Sequence, residues 1–399
     1  MVFIDERRDS PVVMFNEIMG NADMEELDES YKAVPVDPKE TVATILYSSG
    51  TTGLPKGVMV THHNFTTFTE VTFTQYKDLM INQDPSDAML VVMPLFQGLG
   101  FVLLYMNLVR GKSVILLDKF KPKTFLEALV KYRVTRLIVP PPLVLFLVKH
   151  PMVKEYDLSS IKEFRCGSAP LSADIQRELK EKFNAEHVSQ AFGMTETILS
   201  VLATPPGDVV KIGSSGKVVP GMMAKVVDEQ GRSLGKHQMG ELCIKGPMVM
   251  KGYVDNPEAT RNTIDKDGWL HSGDIIYYDD DGYFYIVDRL KELIKYNGFQ
   301  VAPAELEALL VNHPSIDDVA VVGGLSHKAS GEVPLAFIVR KPGTSVTENE
   351  IERFVADHVS PSKRLRGGVI FVERIPRNSG GKILRKILKE NAEGLRSKL

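Results

Sequence analysis

The chain has 399 residues, of which 43% are hydrophobic, 25% are charged and 8% are aromatic. This composition excludes wholesale disorder, collagen and coiled coil, and the length predicts two or three domains with a large core. The 48 basic and 51 acidic side chains give a formal net charge of -3, which indicates no nucleic-acid partner.

The two cysteines, Cys166 and Cys243, belong to no CxxC pair and to no Cys/His ligand cluster in the sequence. We therefore expect neither a disulfide framework nor a structural zinc site, and a reducing compartment fits this cysteine usage best. The longest nearly unbroken apolar run, Leu137 to Val148, contains three prolines and is too short to span a bilayer. The charged N-terminal segment does not have the pattern of a signal peptide.

The last three residues, Ser397-Lys398-Leu399, match a tripeptide that an import receptor reads as a peroxisomal address. They predict a peroxisomal protein with that receptor as a partner. The alternative is a chance basic tail, which would leave the chain in the cytoplasm. We expect no transmembrane segment in either case.

Regular elements are predicted from about residue 42 onward, after a polar and acidic segment of weak periodicity. Short apolar runs then alternate with helix-like stretches up to residue 204. These elements are strand Ser113–Leu117, helix Pro122–Tyr132, strand Thr135–Val139, helix Pro141–His150, strand Ile161–Cys166 and a helix from Ser172. Strands and helices of this length in alternation predict a parallel sheet with right-handed crossovers.

Residues 213–287 have a different character, because short β-rich runs lie there between Gly and Asp turns. This pattern predicts a compact antiparallel barrel or sheet. The chain then returns to mixed α/β, with helix Pro303–Asn312, strand Asp317–Val322 and a capping box at Thr347–Glu350.

The change of pattern near residues 288–292 predicts a domain boundary. The predicted fold class is α/β: a large N-terminal domain, residues 1–288, contains parallel-sheet α/β layers and a β-rich subdomain. A small α+β domain, residues 289–399, follows it.

The segment Tyr47–Gly57, YSSGTTGLPKG, is the most informative part of the sequence. Its glycines let the backbone approach a ligand closely, its hydroxyls and free N–H groups suit oxyanions, and Lys56 adds a mobile positive charge. It leaves a predicted strand end, where α/β proteins bind ligands. It lacks the Walker A spacing, and no GxGxxG motif follows a strand. A flexible Gly/Ser/Thr turn is the alternative interpretation of this segment alone.

Together with five further motifs, this loop resembles the adenylate-forming superfamily of acyl-CoA synthetases, 4-coumarate–CoA ligases and firefly-type luciferases. The resemblance covers nearly the whole chain from about residue 40, and the motifs occur in the family's order. The five are Gln190–Glu196, Gly268–Asp274, Asp288–Lys291, Lys295–Gly298 and Pro376–Lys382.

The resemblance implies a two-step reaction that uses ATP, Mg²⁺ and coenzyme A. A carboxylate and ATP give an acyl-adenylate and pyrophosphate, and a thiol then displaces AMP. Glu196 is a hard oxygen ligand suited to Mg²⁺, and Thr195 can donate to a phosphate oxygen. Alone, this Thr-Glu pair would be read as the start of a helix.

Further nucleotide contacts follow from the matched motifs, with Phe192 stacking on adenine, Asp274 accepting from the ribose hydroxyls and Arg289 assisting it. A turn aspartate and a solvated arginine are the structural alternatives. The residues expected to bind ATP or CoA are Ser48, Ser49, Gly50, Thr51, Thr52, Gly53, Lys56, Gln190, Ala191, Phe192, Gly193, Asp274, Arg289 and Gly298.

The resemblance assigns one catalytic lysine to each half-reaction. Lys382, in a Gly-rich loop, would contact the attacking carboxylate and the α-phosphate, whereas Lys295 would serve thioester formation. The C-terminal domain would rotate about Asp288–Lys291 to exchange them. A surface lysine is the alternative interpretation of Lys382.

The acyl pocket is expected along apolar, Gly-rich segments, which an ordinary core would explain nearly as well. Its expected residues are Gln97, Gly98, Gly167, Ser168 and Ala169. Family members commonly have His where this chain has Gln97, and Gln does not titrate near neutral pH. This difference weighs against luciferase-like chemistry.

The phosphate loop begins at residue 47, whereas family members carry a long N-terminal stretch before it, so the chain resembles an N-terminally truncated member. The first expectation is an acid–thiol ligase that acts on a hydrophobic carboxylic acid, fatty or 4-coumarate-like. The alternatives are luciferase-like adenylation with oxygenation, and a truncated, inactive nucleotide-binding protein.

Overall fold

A computed structural model describes residues 32, 34–48, 55–72, 88–325, 331–378 and 381–396. Residues 38–399 form one compact unit, which contains every described helix and strand. No helix in these described ranges is both long enough and apolar enough to cross a bilayer.

The elements confirm the predicted mixed α/β class. The strands are β1 Val42–Ser48, β2 Lys56–Thr61, β3 Ala88–Val91, β4 Ser113–Leu116, β5 Arg136–Val139, β6 Glu163–Cys166, β7 His187–Gln190, β8 Phe192–Met194, β9 Leu199–Ala203, β10 Lys217–Val218, β11 Met223–Val227, β12 Gly240–Lys245, β13 Gly252–Tyr253, β14 Leu270–Tyr278, β15 Phe284–Arg289, β16 Ile294–Tyr296, β17 Phe299–Val301, β18 Ile316–Leu325, β19 Glu332–Arg340 and β20 Gly368–Phe371. The helices are α1 His62–Glu70, α2 Gly98–Val109, α3 Pro122–Lys131, α4 Pro141–Lys149, α5 Ala173–Phe183, α6 Pro257–Thr263, α7 Pro303–Leu310, α8 Glu348–His358 and α9 Arg385–Arg396.

The parallel strands of the N-terminal half are hydrogen-bonded in two sheets. Strand β3 pairs with β4, and β5, β6 and β7 pair in that order, all of them parallel. The strands predicted at 113–117 and 135–139 are therefore parallel strands, as expected, although they belong to different sheets. Helices α3, α4 and α5 alternate with the strands, and buried apolar side chains such as Phe125, Leu147 and Leu179 join both layers in one core.

Residues 213–287 form the predicted antiparallel sheet, with the strand order β11-β12-β14-β15. Each turn between its strands contains glycine or aspartate, the residue types that favour turn conformations. A second core joins this sheet to β1, β2, β9 and α2. The N-terminal half therefore consists of a parallel part and an antiparallel part, each with its own core.

The strand predicted before the phosphate loop is confirmed as β1, and its pairing is antiparallel. Strands β1 and β2 are antiparallel neighbours in a three-stranded sheet with β13, with Ser48 opposite Lys56. The loop is thus a hairpin connection and does not leave the end of a parallel strand. A connection this short can join only antiparallel neighbours, because a parallel pair requires a long crossover.

The C-terminal part has its own sheet, β18-β19-β20, in which β18 and β19 are antiparallel and β19 and β20 are parallel. Helices α7 and α8 pack on it through Leu306 and Ile351. The predicted capping box is confirmed, because the Thr347 hydroxyl accepts from the Glu350 N–H and the Glu350 carboxylate accepts from the Thr347 N–H. The domain limits 1–288 and 289–399 stay a prediction.

Candidate functional site

The carboxyl ends of β6 and β7 bring two of the predicted segments together. Cys166 lies opposite Gln190 in the parallel register, and the Ala191 N–H donates to the Cys166 carbonyl at 3.0 Å. A Cβ built on Gly167 would lie 3.7 Å from the Ala191 carbonyl oxygen. The predicted substrate residues 167–169 and nucleotide residues 190–193 are therefore neighbours at the sheet edge where α/β proteins bind ligands.

The Gln190 side chain has a structural role, because its polar atoms are hydrogen-bonded within the protein. It is buried, its Oε1 accepts from the Leu171 N–H at 2.9 Å, and its Nε2 donates to the Leu171 carbonyl at 3.0 Å. Nε2 also donates to Gln176 Oε1. These bonds hold the start of α5 against β7, so a nucleotide contact at position 190 would have to come from the backbone.

A strained hairpin presents Thr195 and Glu196. The turn between β8 and β9 places Ile198 at φ +51° and Leu199 at φ +78°, the left-handed region that β-branched residues rarely enter. A side chain at Gly193 would overlap the Leu199 carbonyl, so only glycine fits there. Strain of this kind persists where the surrounding structure fixes the backbone, and it concentrates at functional sites.

Glu196 belongs to a buried polar cluster that the sequence did not reveal. The Tyr253 hydroxyl donates to Glu196 Oε1 at 2.8 Å, and the Lys56 ammonium lies 4.6 Å from the centre of the Tyr253 ring. Burial and the adjacent carboxylate raise the pKa of Tyr253, which keeps the phenol a donor. Lys56 is therefore held by a cation–π contact, where the sequence predicted a mobile charge. No local motif marks Tyr253, because its partners are 57 and 197 residues away in the chain.

The acyl and phosphate segments also meet. Gly98 begins helix α2, and a Cβ built on it would lie 3.7 Å from Thr195 Oγ1 and 3.9 Å from Leu199 Cδ2. Gln97 is the N-cap residue of this helix and is half-buried. The N-terminal end of a helix carries partial positive charge, which favours an anionic group near Gly98.

Asp274 and Arg289 are paired across β14 and β15. The Arg289 Nε lies 3.1 Å from Asp274 Oδ1, and the two residues are opposite each other in the strand register. Asp274 is 4% exposed, and its Oδ2 accepts no hydrogen bond from the part of the chain that the structure describes. Burial raises the pKa of Asp274 to about 6, an effect that Arg289 partly offsets. Asp274 thus offers a buried, unsatisfied acceptor.

Lys382 lies beside this pair. Burial, followed by the charge of Arg289, lowers the pKa of Lys382 to about 8, and Glu292 Oε1 lies 3.9 Å from its ammonium. Its loop is fixed by the Asn378 side chain, which accepts from the Lys382 N–H at 2.9 Å. The sequence motif located Lys382, but it did not indicate Glu292.

The hairpin β16–β17 carries the other predicted lysine. Lys295 is exposed on β16, and Asn297 and Gly298 form the two-residue turn with φ values of +44° and +81°. Both angles are positive, as in the type I′ turn that favours Asn-Gly. Gly298 thus has a structural reason to be glycine, independent of any ligand.

Four further residues of the predicted site, Ser48, Phe192, Ser168 and Ala169, lie in the described part of the chain. Ser48 is buried at the end of β1, and Phe192 is half-buried on the second core. Ser168 has φ +72° in the loop after β6, and Ala169 follows it. The remaining phosphate-loop residues, Ser49, Gly50, Thr51, Thr52 and Gly53, lie outside the described residues, as do Ser397, Lys398 and Leu399.

The chain is similar to proteins of known family. The family described as AMP-binding enzyme matches residues 5–254, and the AMP-binding enzyme C-terminal domain matches residues 305–382. A luciferin 4-monooxygenase of Nipponoluciola cruciata is 47% identical over 368 residues, 90% of this chain and 66% of the relative. A probable 4-coumarate–CoA ligase 1 of Dictyostelium discoideum is 43% identical over 389 residues, 96% of this chain and 68% of the relative. The chain thus spans about two thirds of the length of these relatives.

Solved structures agree. ATP-bound MatB from Rhodopseudomonas palustris has a TM-score of 0.82 and 31% identity, covering 92% of this chain and 71% of its own. The o-succinylbenzoate CoA synthetase of Bacillus subtilis, in complex with its acyl-adenylate intermediate, has a TM-score of 0.77 and 28% identity, covering 95% and 74%. The chain therefore belongs to the AMP-binding enzymes, the adenylate-forming superfamily that its six motifs resemble.

Proposed function

We propose that the protein is an ATP-dependent acid–thiol ligase. In the first step a carboxylate oxygen attacks the α-phosphorus of ATP, an acyl–oxygen–phosphorus bond forms, and the bond to the β-phosphate oxygen breaks to release pyrophosphate. In the second step the sulfur of coenzyme A attacks the acyl carbon, AMP leaves with its oxygen, and the thiol proton passes to solvent. Family membership and the buried, unsatisfied Asp274 carboxylate beside Arg289 support this proposal.

Asp274 carries the nucleotide part of the argument. A buried carboxylate oxygen without a donor is costly, and two hydroxyls on adjacent carbons of a ribose would satisfy it. Arg289 keeps the carboxylate oriented through Oδ1, so Oδ2 stays available to the ligand. A turn aspartate would be exposed to water, which Asp274 is not.

Lys382 would act in the first step. Its ammonium lies near Asp274 and Arg289, so it would reach the α-phosphate of a nucleotide bound through its ribose. There it would offset the repulsion between the attacking carboxylate and the phosphate, both of which are anionic. Its lowered pKa indicates a partly desolvated environment, which strengthens such an interaction.

The donor set at Glu196 fits Mg²⁺. This ion prefers hard oxygen ligands and usually binds through one or two carboxylates together with substrate phosphates. Glu196 and Thr195 provide a carboxylate and a hydroxyl on one turn, and the Tyr253 hydroxyl orients the carboxylate by donating to Glu196 Oε1. When bound, the ion would neutralise charge on the phosphates, while Glu196 would hold it and Lys56 would add a further positive charge.

The substrate is proposed to be a hydrophobic carboxylic acid, fatty or 4-coumarate-like. Gly98 lies beside Thr195 and Leu199, and Gly167 lies beside the Ala191 carbonyl, so small residues adjoin the position proposed for the acid. The relative named 4-coumarate–CoA ligase 1 supports an aryl-propenoic acid. Coenzyme A is proposed as the acceptor for the same reason.

Luciferase-like oxygenation is the second candidate, because several of the similar proteins are luciferin 4-monooxygenases, two of them at 47% and 45% identity. Gln97 argues against it, because glutamine does not titrate near neutral pH as histidine does. Light emission with luciferin, ATP and O₂ would decide for it.

The test is ATP–pyrophosphate exchange over a panel of carboxylic acids, followed by addition of coenzyme A. We expect exchange with at least one hydrophobic acid. Once coenzyme A is present, the acid should be converted to a thioester and AMP should be released. ATP binding at full occupancy with no exchange for any acid would favour an inactive nucleotide-binding protein instead. Asp280→Asn, at an exposed aspartate in the turn between β14 and β15, is the matched control for Asp274→Asn.

A peroxisomal location is also proposed, from Ser397-Lys398-Leu399 alone. A fluorescent protein fused to the N-terminus of the chain should co-localise with a peroxisomal marker. Deletion of the three residues should return it to the cytoplasm, and an unchanged distribution would contradict the proposal.

A further inference from the structure

A cluster of metal-binding side chains lies on the antiparallel sheet, although the sequence predicted no Cys/His ligand cluster. Ligand atoms from Glu241, Cys243 and His271 all lie within 4.8 Å of one another. Cys243 and His271 are opposite each other on β12 and β14, and Glu241 is two residues before Cys243 on the same face. The spacing of 28 residues between Cys243 and His271 hid the cluster, because only strand pairing brings them together.

The distances suit a tetrahedral transition metal. Cys243 Sγ lies 3.5 Å from His271 Nδ1. Bonds of about 2.3 Å to sulfur and 2.0–2.1 Å to nitrogen at a tetrahedral angle place those two atoms about 3.5 Å apart. Glu241 Oε2 lies 2.8 Å from the same nitrogen, so the carboxylate would move outward by about half an ångström to bind a shared ion.

A second carboxylate supports the imidazole. Asp265 Oδ2 lies 3.6 Å from His271 Nε2, on the side of the ring away from Glu241. Metal-binding histidines usually donate their other ring N–H to a carboxylate, and Asp265 is placed on that side of the ring. Asp265 is itself held, because its Oδ1 accepts from the N–H groups of Asp267 and Trp269.

The backbone also shapes this cluster. The pairing of β12 with β14 shifts register between Glu241 and Cys243, as at a β-bulge, which re-aims side chains and occurs next to functional sites. Glu241 Oε1 accepts from the Gly273 N–H at 3.0 Å, which leaves Oε2 facing His271. Lys225 is opposite Cys243 on the neighbouring strand β11, and its ammonium lies 4.4 Å from the centre of the Trp269 ring.

We propose that Glu241, Cys243 and His271 form a binding site for a zinc-class divalent ion, with Asp265 as the carboxylate behind His271. The ligand types select the ion: a thiolate and an imidazole favour Zn²⁺ over Mg²⁺, which prefers oxygen. Binding forms a metal–sulfur bond and releases the Cys243 proton to solvent. The metal would cross-link β12 and β14, and a water or a ligand atom would take the fourth position. This site is separate from the magnesium site proposed at Glu196.

The direct test uses Zn²⁺ and Co²⁺ with the full chain, purified free of metal. We expect one equivalent of Zn²⁺ in competition with a chromogenic chelator, and a thiolate-to-cobalt charge-transfer band when Co²⁺ replaces it. Cys243→Ser should abolish that band and weaken Zn²⁺ binding by about tenfold or more, and Asp265→Asn should weaken it by roughly 10- to 100-fold. Zn²⁺ should also raise the melting temperature of the wild-type chain.

The matched control is Cys166→Ser, at the other buried cysteine, which lies on β6 outside this sheet. It should keep both the band and the affinity. The proposal would be overturned by a wild-type chain that binds no Zn²⁺, by a cobalt spectrum without a thiolate band, or by equal losses in both serine variants. The wild-type cobalt spectrum decides the matter even if a variant fails to fold.

Discussion

Two regions of the C-terminal part each carry a lysine expected to be catalytic, and they differ in how they hold it. Lys382 lies in a loop beside three charged residues, Glu292, Arg289 and Asp274, which come from other parts of the chain. Its side chain is 26% exposed. Lys295 lies on a two-stranded hairpin and is exposed. Lys382 is thus surrounded by charged side chains, whereas the position of Lys295 is set by its own hairpin.

This difference is what we expect if the structure represents the arrangement for the first half-reaction. A lysine that stabilises charge during phosphoryl transfer gains from a desolvated site, and the lowered pKa of Lys382 fits that role. Lys295 would enter a similar environment only after rotation about residues 288–291. Substitutions in the two regions should therefore affect different steps of the reaction.

The largest effect is expected for Lys382→Ala. Loss of its ammonium should reduce ATP–pyrophosphate exchange by roughly 10²–10³-fold, because one preorganised charge stabiliser is removed. Thioester formation from added acyl-adenylate should change far less. Lys386→Ala is the control, since that lysine is exposed on α9 and pairs only with Glu390 among the described ion pairs. Equal losses of exchange in the two variants would contradict the role proposed for Lys382.

Asp274→Asn should reduce exchange efficiency by roughly 10- to 100-fold, because a charged acceptor is replaced by a neutral one. Wild-type efficiency should rise as the pH rises through about 6, where Asp274 ionises, and fall as it rises through about 8, where Lys382 loses its proton. The variant should lose the acid limb, and its alkaline limb should move to lower pH, because the charge of Asp274 favours the protonated form of Lys382. An acid limb that persists near pH 6 would assign that ionisation to another group.

Lys295→Ala is expected to slow thioester formation by about tenfold, since one charge-assisted contact would be lost. ATP–pyrophosphate exchange should stay near the wild-type rate. Single-turnover transfer from preformed acyl-adenylate to coenzyme A measures this step alone. If exchange fell as much as transfer did, the two lysines would not belong to separate steps.

Glu292→Gln should shift the alkaline limb of exchange to lower pH by less than about one unit. Glu292 lies 3.9 Å from the Lys382 ammonium and favours its charged form, so its removal lowers the pKa of Lys382 further. Arg289 and Arg385 also face the Lys382 ammonium and lower its pKa, whereas Asp274 raises it and would remain in this variant. Glu390→Gln on α9 should leave the limb in place.

Gly298→Ala should have the smallest effect, and it should act on stability. A left-handed conformation costs a residue with a Cβ about 1–2 kcal/mol, and Gly298 has φ +81° with open space around it. Gly235→Ala is the control, because Gly235 lacks a positive φ and also has room. A lower melting temperature with unchanged adenylation would place Gly298 in the turn. Unchanged stability would contradict the assigned turn geometry.

The sequence by itself determined most elements and the family. Helices α3, α4 and α7 begin at the predicted residues, each a proline, and α8 follows the predicted capping box. Helix α5 begins one residue after the predicted Ser172, which is its N-cap. The six motifs identified the superfamily because their order and content are specific. The limits of α4 and α7 and of several strands differ from prediction by one to three residues, as helix and strand ends are set by packing.

Only the tertiary structure decided which side chains meet. Tyr253 reaches Glu196 and Lys56 because β13 pairs with β2, and Glu292 reaches Lys382 because the C-terminal loop folds back onto the strand β15 region. Gln190 carries a family motif, yet its amide is occupied by Leu171. Cys243 and His271 form a cluster only through strand register. Local sequence specifies turns and caps, whereas contacts between distant residues depend on sheet pairing and burial, which no short motif encodes.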